Sequence, residues 1–144
     1  MSGLRWRTRV RVALAVPRAV GVMLLVELSL RTADLPTTCR RLRLTCDLHS
    51  SAPPAQRVAV LPRAARAAVL ATDVVLPRWP FGDTCLRRCL LLGHGLRRFG
   101  PVLRIGVRRE PEGAFAAHSW LEIDGATLDP TASRYTALGA RWTG

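Results

Sequence analysis

One histidine and two aspartates stand close together in the segment GAFAAHSWLEIDGATLDPT, near the end of the chain. A carboxylate beside a histidine orients the imidazole ring and stabilises its protonated form, so such a pair can act as a general base. His118 is the candidate base, and Asp124 and Asp129 are its candidate partners. A core histidine that is merely hydrogen-bonded is the alternative that the residue types leave open. The other histidines, His49 and His94, lack a comparable partner and are predicted to lie on the surface.

The dipeptide Asp124-Gly125 distinguishes between the two aspartates. It is typical of a two-residue hairpin turn, and the register of that hairpin sets Asp129 opposite Trp120. Because alternate residues of a strand share a face, His118 and Asp129 become diagonal neighbours, with backbones about 7 to 8 Å apart. Asp124, at the turn, lies roughly 20 Å from His118 along the strand. The orienting carboxylate is therefore predicted to be Asp129.

A cysteine stands where a helix is expected to begin. The segment GDTCLRRCLLL predicts a helix that starts at or beside Cys85, with Asp83 or Thr84 as its N-cap. Unpaired backbone N–H groups and the helix dipole stabilise a thiolate in the first turn, and the same N–H groups can receive an oxyanion. Together with the histidine and the aspartate, Cys85 has the chemistry of nucleophilic acyl transfer.

The other cysteines, Cys39, Cys46 and Cys89, are predicted to be small buried hydrophobes. Their C-x6-C and C-x3-C spacings differ from the C-x2-C pairs of zinc ribbons. Cys85 and Cys89 would lie one helical turn apart, in poor geometry for a disulfide. We therefore expect a reduced, cytosolic chain with no metal site.

The composition predicts one globular domain with many positive charges. The 144 residues carry a net charge of +12, all 22 basic residues are arginine, and 49% of the residues are hydrophobic. Positive charge suits nucleic acid, an acidic peptide or an anionic membrane. The arginines are spread along the whole chain without interleaved aromatics, which argues against nucleic acid. A catalytically silent, Arg-rich module that binds peptide or nucleic acid remains the alternative function.

The N-terminal half is predicted to be helical. Pro17 suits the first turn of an apolar helix, and Pro17, Arg18 and Glu27 divide the apolar stretch, so neither a transmembrane helix nor a cleaved signal is expected. A polar loop follows at 50–56. The helices are predicted at residues 17–31, in a short segment after Leu35-Pro36 that carries Cys39 and Cys46, and near Pro62 to Val75.

The C-terminal half is predicted to contain the Cys85 helix and a small antiparallel sheet. Gly93 and Gly95 should interrupt that helix. PVLRIGVRR and FAAHSWLEI alternate apolar and polar residues, a pattern typical of strands with one buried face. The order of elements predicts an α+β fold in a single domain, 1–144, with a helical part at 1–78 and a catalytic core at 79–131.

Three segments resemble one known family, the lasso-peptide biosynthesis B2 proteins. They are TCLRRCLLL at 84–92, LRIGVRR at 103–109 and FAAHSWLEIDG at 115–125. The B2 proteins are transglutaminase-like cysteine proteases that remove the leader from a ribosomally made precursor. The resemblance implies a papain-like or transglutaminase-like fold. It also implies that Cys85, His118 and Asp129 are catalytic.

The resemblance also carries expectations about residues and partners. The aromatic residue that follows the family's histidine falls on Trp120, whereas Cys89 stands where the family commonly has a small residue. No metal or organic cofactor is expected. The implied partners are the precursor peptide, a separate PqqD-like leader-recognition protein called B1, and the ATP-dependent macrolactam synthetase that receives the product. A cytoplasmic location is implied, and docking of helix 17–31 on a partner or a membrane stays open.

Overall fold

A computed structural model of the chain describes residues 2–140, without the side chains of residues 2–5 and 8. Within this range four α-helices and a mixed sheet of five strands form an α+β domain, which confirms the predicted class. The helices are α1 (Ser2–Thr32), α2 (Leu35–Arg41), α3 (Arg66–Val75) and α4 (Cys85–Gly95). The strands are β1 (Thr45–Asp47), β2 (Val102–Arg109), β3 (Phe115–Ile123), β4 (Ala126–Thr127) and β5 (Thr136–Ala137).

The sheet has the order β1-β2-β3-β4, and β5 pairs with β2 on the edge that β1 also uses. β1 runs parallel to β2, and the other pairs are antiparallel, so the prediction of a wholly antiparallel sheet is wrong. The reason lies in α2, which was predicted to carry Cys46. α2 ends at Arg41, since Arg43 takes a positive φ of 56° and the Leu44 N–H turns back to the Cys39 carbonyl. Cys46 therefore lies on β1.

The hairpin between β3 and β4 has the predicted register. Asp124 and Gly125 form its turn with φ values of 49° and 69°. Both values are positive, as a two-residue turn that matches the strand twist requires. Ile123 pairs with Ala126. This local signal in the sequence thus predicted both the turn and the alignment of the strands.

The first helix is longer than predicted. α1 continues through Pro17, although proline removes a helical hydrogen bond and its ring crowds the preceding turn. The prediction that the helix begins at Pro17 is therefore wrong. One face of α1 enters the core, where Met23 and Val26 are fully buried, while Leu24 and Leu28 on the opposite face are exposed. Tertiary packing along the whole helix outweighs the local cost of the proline.

By length and composition, residues Arg9–Thr32 of α1 could cross a membrane. This segment has a mean hydropathy of 1.8, and 28% of its most apolar window is buried in the domain. The predicted interruptions at Pro17, Arg18 and Glu27 do not break the helix. The sequence argument against a membrane-spanning helix is therefore not supported.

Close contacts set the position of α4 on the sheet. A Cβ at Gly93 would lie 2.8 Å from the Leu44 side chain and 3.4 Å from that of Leu121, so a larger residue there would require these side chains to shift. Gly93 contacts Leu121, and Cys89, one turn earlier on α4, lies near the Ser119 hydroxyl, which affects its pKa. Since Ser119 also precedes Leu121 on β3, α4 runs in the same direction as β3. Contrary to the prediction, the glycines do not interrupt α4. The helix is continuous from Cys85 to Gly95.

A second glycine lies in the middle of β2. Gly106 pairs with His118 on one side and with Ala137 on the other. A Cβ at this position would lie 2.6 Å from the Thr136 carbonyl oxygen and 2.9 Å from the Trp120 ring. Because Gly106 has no side chain, β5 and the Trp120 indole can both pack directly against β2 at this residue.

Gly106→Ala should destabilise the fold, because the backbone oxygen of Thr136 cannot move aside as a side chain can. We expect the free energy of unfolding to fall by about 1 to 3 kcal/mol in urea titrations. Gly21→Ala is the matched control, since no atom lies within 4 Å of a Cβ built there. In the interior of α1 the same change should stabilise by roughly 0.5 to 1 kcal/mol. A Gly106→Ala variant as stable as the wild type would contradict the packing described.

Candidate active site

The helix predicted at Cys85 begins at Cys85. Thr84 is its N-cap: the Thr84 hydroxyl oxygen accepts a hydrogen bond from the Arg87 N–H at 3.3 Å. The N–H groups of Cys85 and Leu86 have no partner within the helix. These N–H groups lie at the positive end of the helix dipole. The half-buried Cys85 thiol therefore lies beside backbone donors that can stabilise negative charge.

The first turn of α4 is held to α1 by a buried ion pair. Glu27 accepts hydrogen bonds from Arg87 Nε at 2.5 Å and from Trp79 Nε1 at 3.0 Å. The hydrogen bond from Arg87, together with the smaller contribution from Trp79, outweighs burial and lowers the pKa of Glu27. Sequence analysis missed this pair, whose members are 60 residues apart. The ion pair fixes α4 at Arg87, two residues after Cys85.

His118 lies on β3 with its side chain facing away from α4. Leu121 belongs to the core that α4 covers, and the alternation of a strand sends His118 and Trp120 to the other face. There the His118 ring lies 4.9 Å from the Tyr135 ring and 6.4 Å from the indole of Trp120. Sequence analysis missed Tyr135. That it is the only tyrosine of the chain is the one signal that could have drawn attention to it.

Asp129 divides its two carboxylate oxygens between two partners. Oδ2 lies 2.5 Å from His118 Nε2. Oδ1 accepts hydrogen bonds from the Thr131 N–H at 2.8 Å and from the Thr131 hydroxyl at 2.7 Å. The Asp129 N–H donates to the Thr127 hydroxyl at 3.0 Å, which fixes the backbone as well. Burial alone would raise the pKa of Asp129, but the hydrogen bonds from His118 and Thr131 outweigh it and lower the pKa.

The charge on Asp129 determines the tautomer of His118. An ionised carboxylate can only accept hydrogen bonds, so Nε2 of His118 must carry the hydrogen between them. In the neutral ring Nδ1 is then unprotonated. Among the described residues nothing donates a hydrogen bond to Nδ1. This nitrogen is consequently the atom of the pair that can take up a proton.

The edge of β3 beside His118 is open. β4 pairs with Glu122 and Ile123, and the Leu128 N–H donates to the Leu121 carbonyl oxygen at 2.9 Å, in the predicted register. Among the described residues no strand pairing continues to the predicted pair of Asp129 with Trp120. Beyond Leu128 the chain turns into the 3-10 helix Pro130–Arg134, whose N-cap is Asp129. Asp129 nonetheless reaches His118, whereas Asp124 remains at the turn.

The position of Cys85 relative to His118 follows from the helix and strand dimensions. Cys85 precedes Cys89 by one helical turn, about 6 Å, and Cys89 lies near Ser119. Two residues of strand cover about 6.6 Å. Cys85, one turn before Cys89, therefore lies beside Ala117, two residues before Ser119 on β3. Ala117 directly precedes His118. In the described part of the chain no hydrogen bond joins Cys85 to His118.

The four cysteines, all with free thiols, have different environments. Burial raises the pKa of both Cys39 and Cys89 to about 12, and it raises the pKa of Cys46 as well. Thiols with such values remain protonated and unreactive at neutral pH. Cys39 and Cys89 are buried, as predicted, while Cys46 is half-buried. Cys85 differs from the other three cysteines because it lies at the start of a helix.

Trp120 anchors the loop that covers its face of the sheet. Its indole N–H donates to Glu122 at 2.9 Å, and the same carboxylate oxygen accepts from the Ala55 N–H. Arg104, which is buried, reaches Glu122 and donates at 2.6 Å to the Ala52 carbonyl oxygen. Trp120 thus has a structural role, in addition to packing beside His118.

The other histidines differ from each other. His49 is exposed, as predicted. His94 is half-buried in the last turn of α4, and its Nδ1 lies 2.9 Å from the Leu42 carbonyl oxygen, so its predicted surface position is wrong. Within residues 2–140 no three His, Cys, Asp or Glu side chains are grouped to hold a metal ion.

Alkylation should distinguish Cys85 from the buried thiols. We expect iodoacetamide at pH 7.5 to modify Cys85 at least tenfold faster than Cys39 or Cys89, because burial keeps those two protonated and covered. Peptide mapping by mass spectrometry over a time course measures the four rates. Equal rates at Cys85 and Cys89 would contradict the environments described.

Asp129→Asn should weaken the fold in a pH-dependent way. We expect a loss of about 1 to 3 kcal/mol at pH 7, since hydrogen bonds to a charged group are lost. The folded-state pKa of Asp129 is lowered, so its contribution is present above the ordinary aspartate range near pH 4 and disappears as the pH falls through the folded value. Urea unfolding of both proteins from pH 7 to pH 2.5 measures this. The stability difference should shrink with acid, and a constant difference would contradict the assignment.

Comparison with known proteins agrees with this arrangement of helix and sheet. The family model described as the transglutaminase-like superfamily matches residues 22–140. No curated protein and no solved structure matches the chain.

Proposed function

The chain belongs to the transglutaminase-like superfamily, and we propose that it is a cysteine peptidase with Cys85 as its nucleophile. The hydrogen bond between His118 Nε2 and Asp129 carries this proposal, because it leaves Nδ1 unprotonated beside the open edge of β3. Members of this superfamily usually have cysteine protease-like chemistry. A peptidase needs a general base of this kind, whereas a module that only binds peptide or nucleic acid does not.

In the proposed mechanism the Cys85 thiol reaches His118 past the open edge of β3 and loses its proton to Nδ1. The sulfur then attacks the scissile carbonyl carbon, and the oxyanion is stabilised by the Cys85 N–H. His118 returns the proton to the leaving amine, and water hydrolyses the thioester. Asp129 holds the ring in the required tautomer and stabilises the imidazolium. The hydrogen bond between Cys85 and His118 would form when substrate binds, since catalytic hydrogen bonds are often long or absent before then.

The proposed substrate is a lasso peptide precursor, whose leader is cleaved from its core. The support is the resemblance of three segments, at 84–92, 103–109 and 115–125, to the lasso-peptide B2 proteins. Two of these segments carry Cys85 and His118. Hydrolysis of this kind uses the side chains alone and needs no metal or organic cofactor.

The proposed partners follow from the same resemblance. A separate PqqD-like B1 protein would present the leader, and a macrolactam synthetase would receive the freed core peptide. The free thiols of all four cysteines suit a reducing, cytoplasmic location.

Cys85→Ala should abolish leader cleavage, because no other thiol is placed to attack. We expect kcat/KM to fall by at least about 10³-fold, as it does when a nucleophile is removed from such a set of residues. The assay incubates a lasso precursor and its B1 partner with the protein and follows the products by mass spectrometry. Cys89→Ala is the matched control on the same helix and should retain most of the activity.

The outcomes separate the proposals. Cleavage that continues in Cys85→Ala would contradict the peptidase mechanism. If the wild type leaves the precursor intact but binds it, and binding falls steeply with salt, the Arg-rich binding module becomes the better explanation. Asp129→Asn should reduce kcat far more than it raises KM, because Asp129 acts on the base rather than on the substrate.

A further inference from the structure

A cleft of about 220 Å³ lies among α1, α3 and α4, at the opposite end of α4 from Cys85. Nine residues separate Cys85 from His94 at the cleft, a distance of about 14 Å along the helix. The floor is apolar and includes six alanines. Its polar rim consists of Arg18 from α1, His94 from α4, and Arg97 and Arg98, which follow α4. No carboxylate lines the cleft.

The arginines around this cleft lack counter-ions. Arg97 lies close enough to three other guanidinium groups for electrostatic repulsion, namely those of Arg18, Arg43 and Arg98. Across the described part of the chain, none of the four forms an ion pair with a carboxylate. Other arginines of this protein do find acidic partners, such as Arg87 with Glu27. Most arginines of the described residues likewise make no ion pair, so the distinctive feature here is that Arg18, Arg97 and Arg98 line one cavity.

Of these arginines, Arg97 is half-buried, whereas Arg18, Arg43 and Arg98 are exposed. Burial lowers the pKa of Arg97, and the three neighbouring arginines lower it further. Burial also lowers the pKa of His94, and Arg97, Arg18 and Arg43 add to that effect, which together outweigh the opposing hydrogen bond with the Leu42 carbonyl oxygen. Arg97 is held in place by donating to the His94 carbonyl oxygen at 2.8 Å. Repulsion among these neighbouring like charges is relieved when an anion binds between them.

We propose that this cleft binds a phosphate group. Guanidinium groups match phosphate oxygens with paired, charge-assisted hydrogen bonds. A phosphate carries nearly two negative charges, whereas a single carboxylate brings only one to the four arginines. The apolar floor has room for part of the molecule that carries the phosphate. Inorganic phosphate, a soluble phosphate ester and a phospholipid headgroup share this chemistry, and the site is independent of the proposed peptidase activity.

Calorimetric titration of inorganic phosphate into the full chain tests the proposal. Sodium chloride keeps the ionic strength constant, so that diffuse screening does not change. We expect saturable binding of one phosphate, weakened about tenfold or more by Arg18→Gln and by Arg98→Gln, since a charge-assisted hydrogen bond contributes at least about 1.4 kcal/mol. Neither side chain makes a hydrogen bond within residues 2–140, so both variants should fold. Arg18→Lys should give an intermediate affinity, because it keeps the charge but loses the paired donors.

Arg109→Gln is the matched control, because it removes the same charge from an exposed position at the end of β2. It should bind phosphate as the wild type does. No saturable binding, or equal weakening by Arg109→Gln, would overturn the proposal and leave only the general attraction of a +12 chain for anions.

Cosedimentation with vesicles distinguishes the sources of the phosphate. Vesicles of phosphatidylcholine, with and without phosphatidic acid, are incubated with each protein. Capture by phosphatidic acid that is lost in Arg18→Gln and Arg98→Gln would identify a lipid headgroup as the ligand. If calorimetry shows binding and the two variants sediment as the wild type does, the ligand is a soluble phosphate ester.

Discussion

The buried ion pair between Glu27 and Arg87 is the interaction on which the arrangement of the site depends. It joins the middle of α1 to the first turn of α4, and the Trp79 indole completes it. A buried carboxylate without its partner typically costs 3 to 5 kcal/mol, so the two helices are strongly coupled in position. Cys85 lies two residues before Arg87. The location of Cys85 over the sheet is therefore determined by Glu27, which lies almost 60 positions earlier in the chain.

Two glycines allow the close packing around the rest of the site. Gly93 lets α4 contact Leu44 and Leu121, and Gly106 lets β5 and Trp120 meet at β2. Because α4 and β3 run in the same direction, the helix start and the histidine come to the same end of their interface. The short 3-10 helix after β4 then brings Asp129 to His118. Cys85, His118 and Asp129 thus lie in or directly beside regular elements rather than in long loops.

The four thiols show how environment separates residues of one type. Cys39 and Cys89 are buried in apolar surroundings, which keep them protonated. Cys85 lies where the unpaired N–H groups of a helix start favour negative charge. The arginines divide in a similar way. Arg87 pairs with the buried carboxylate of Glu27 and Arg104 with the half-buried one of Glu122, while the arginines around the cleft at the end of α4 have no such partners.

Local signals in the sequence determined the Cys85 helix, the β3–β4 hairpin and the choice of Asp129 over Asp124, because turn and capping chemistry act over a few residues. The same signals were wrong for α1, which continues through Pro17, and for Cys46, which joins a parallel strand. Both were decided by packing against distant parts of the chain. Only the tertiary structure brought Tyr135 to His118, Glu27 to Arg87 and four unpaired arginines together. Contacts between residues so far apart leave no periodic pattern in a single sequence, since each depends on how the helices dock on the sheet.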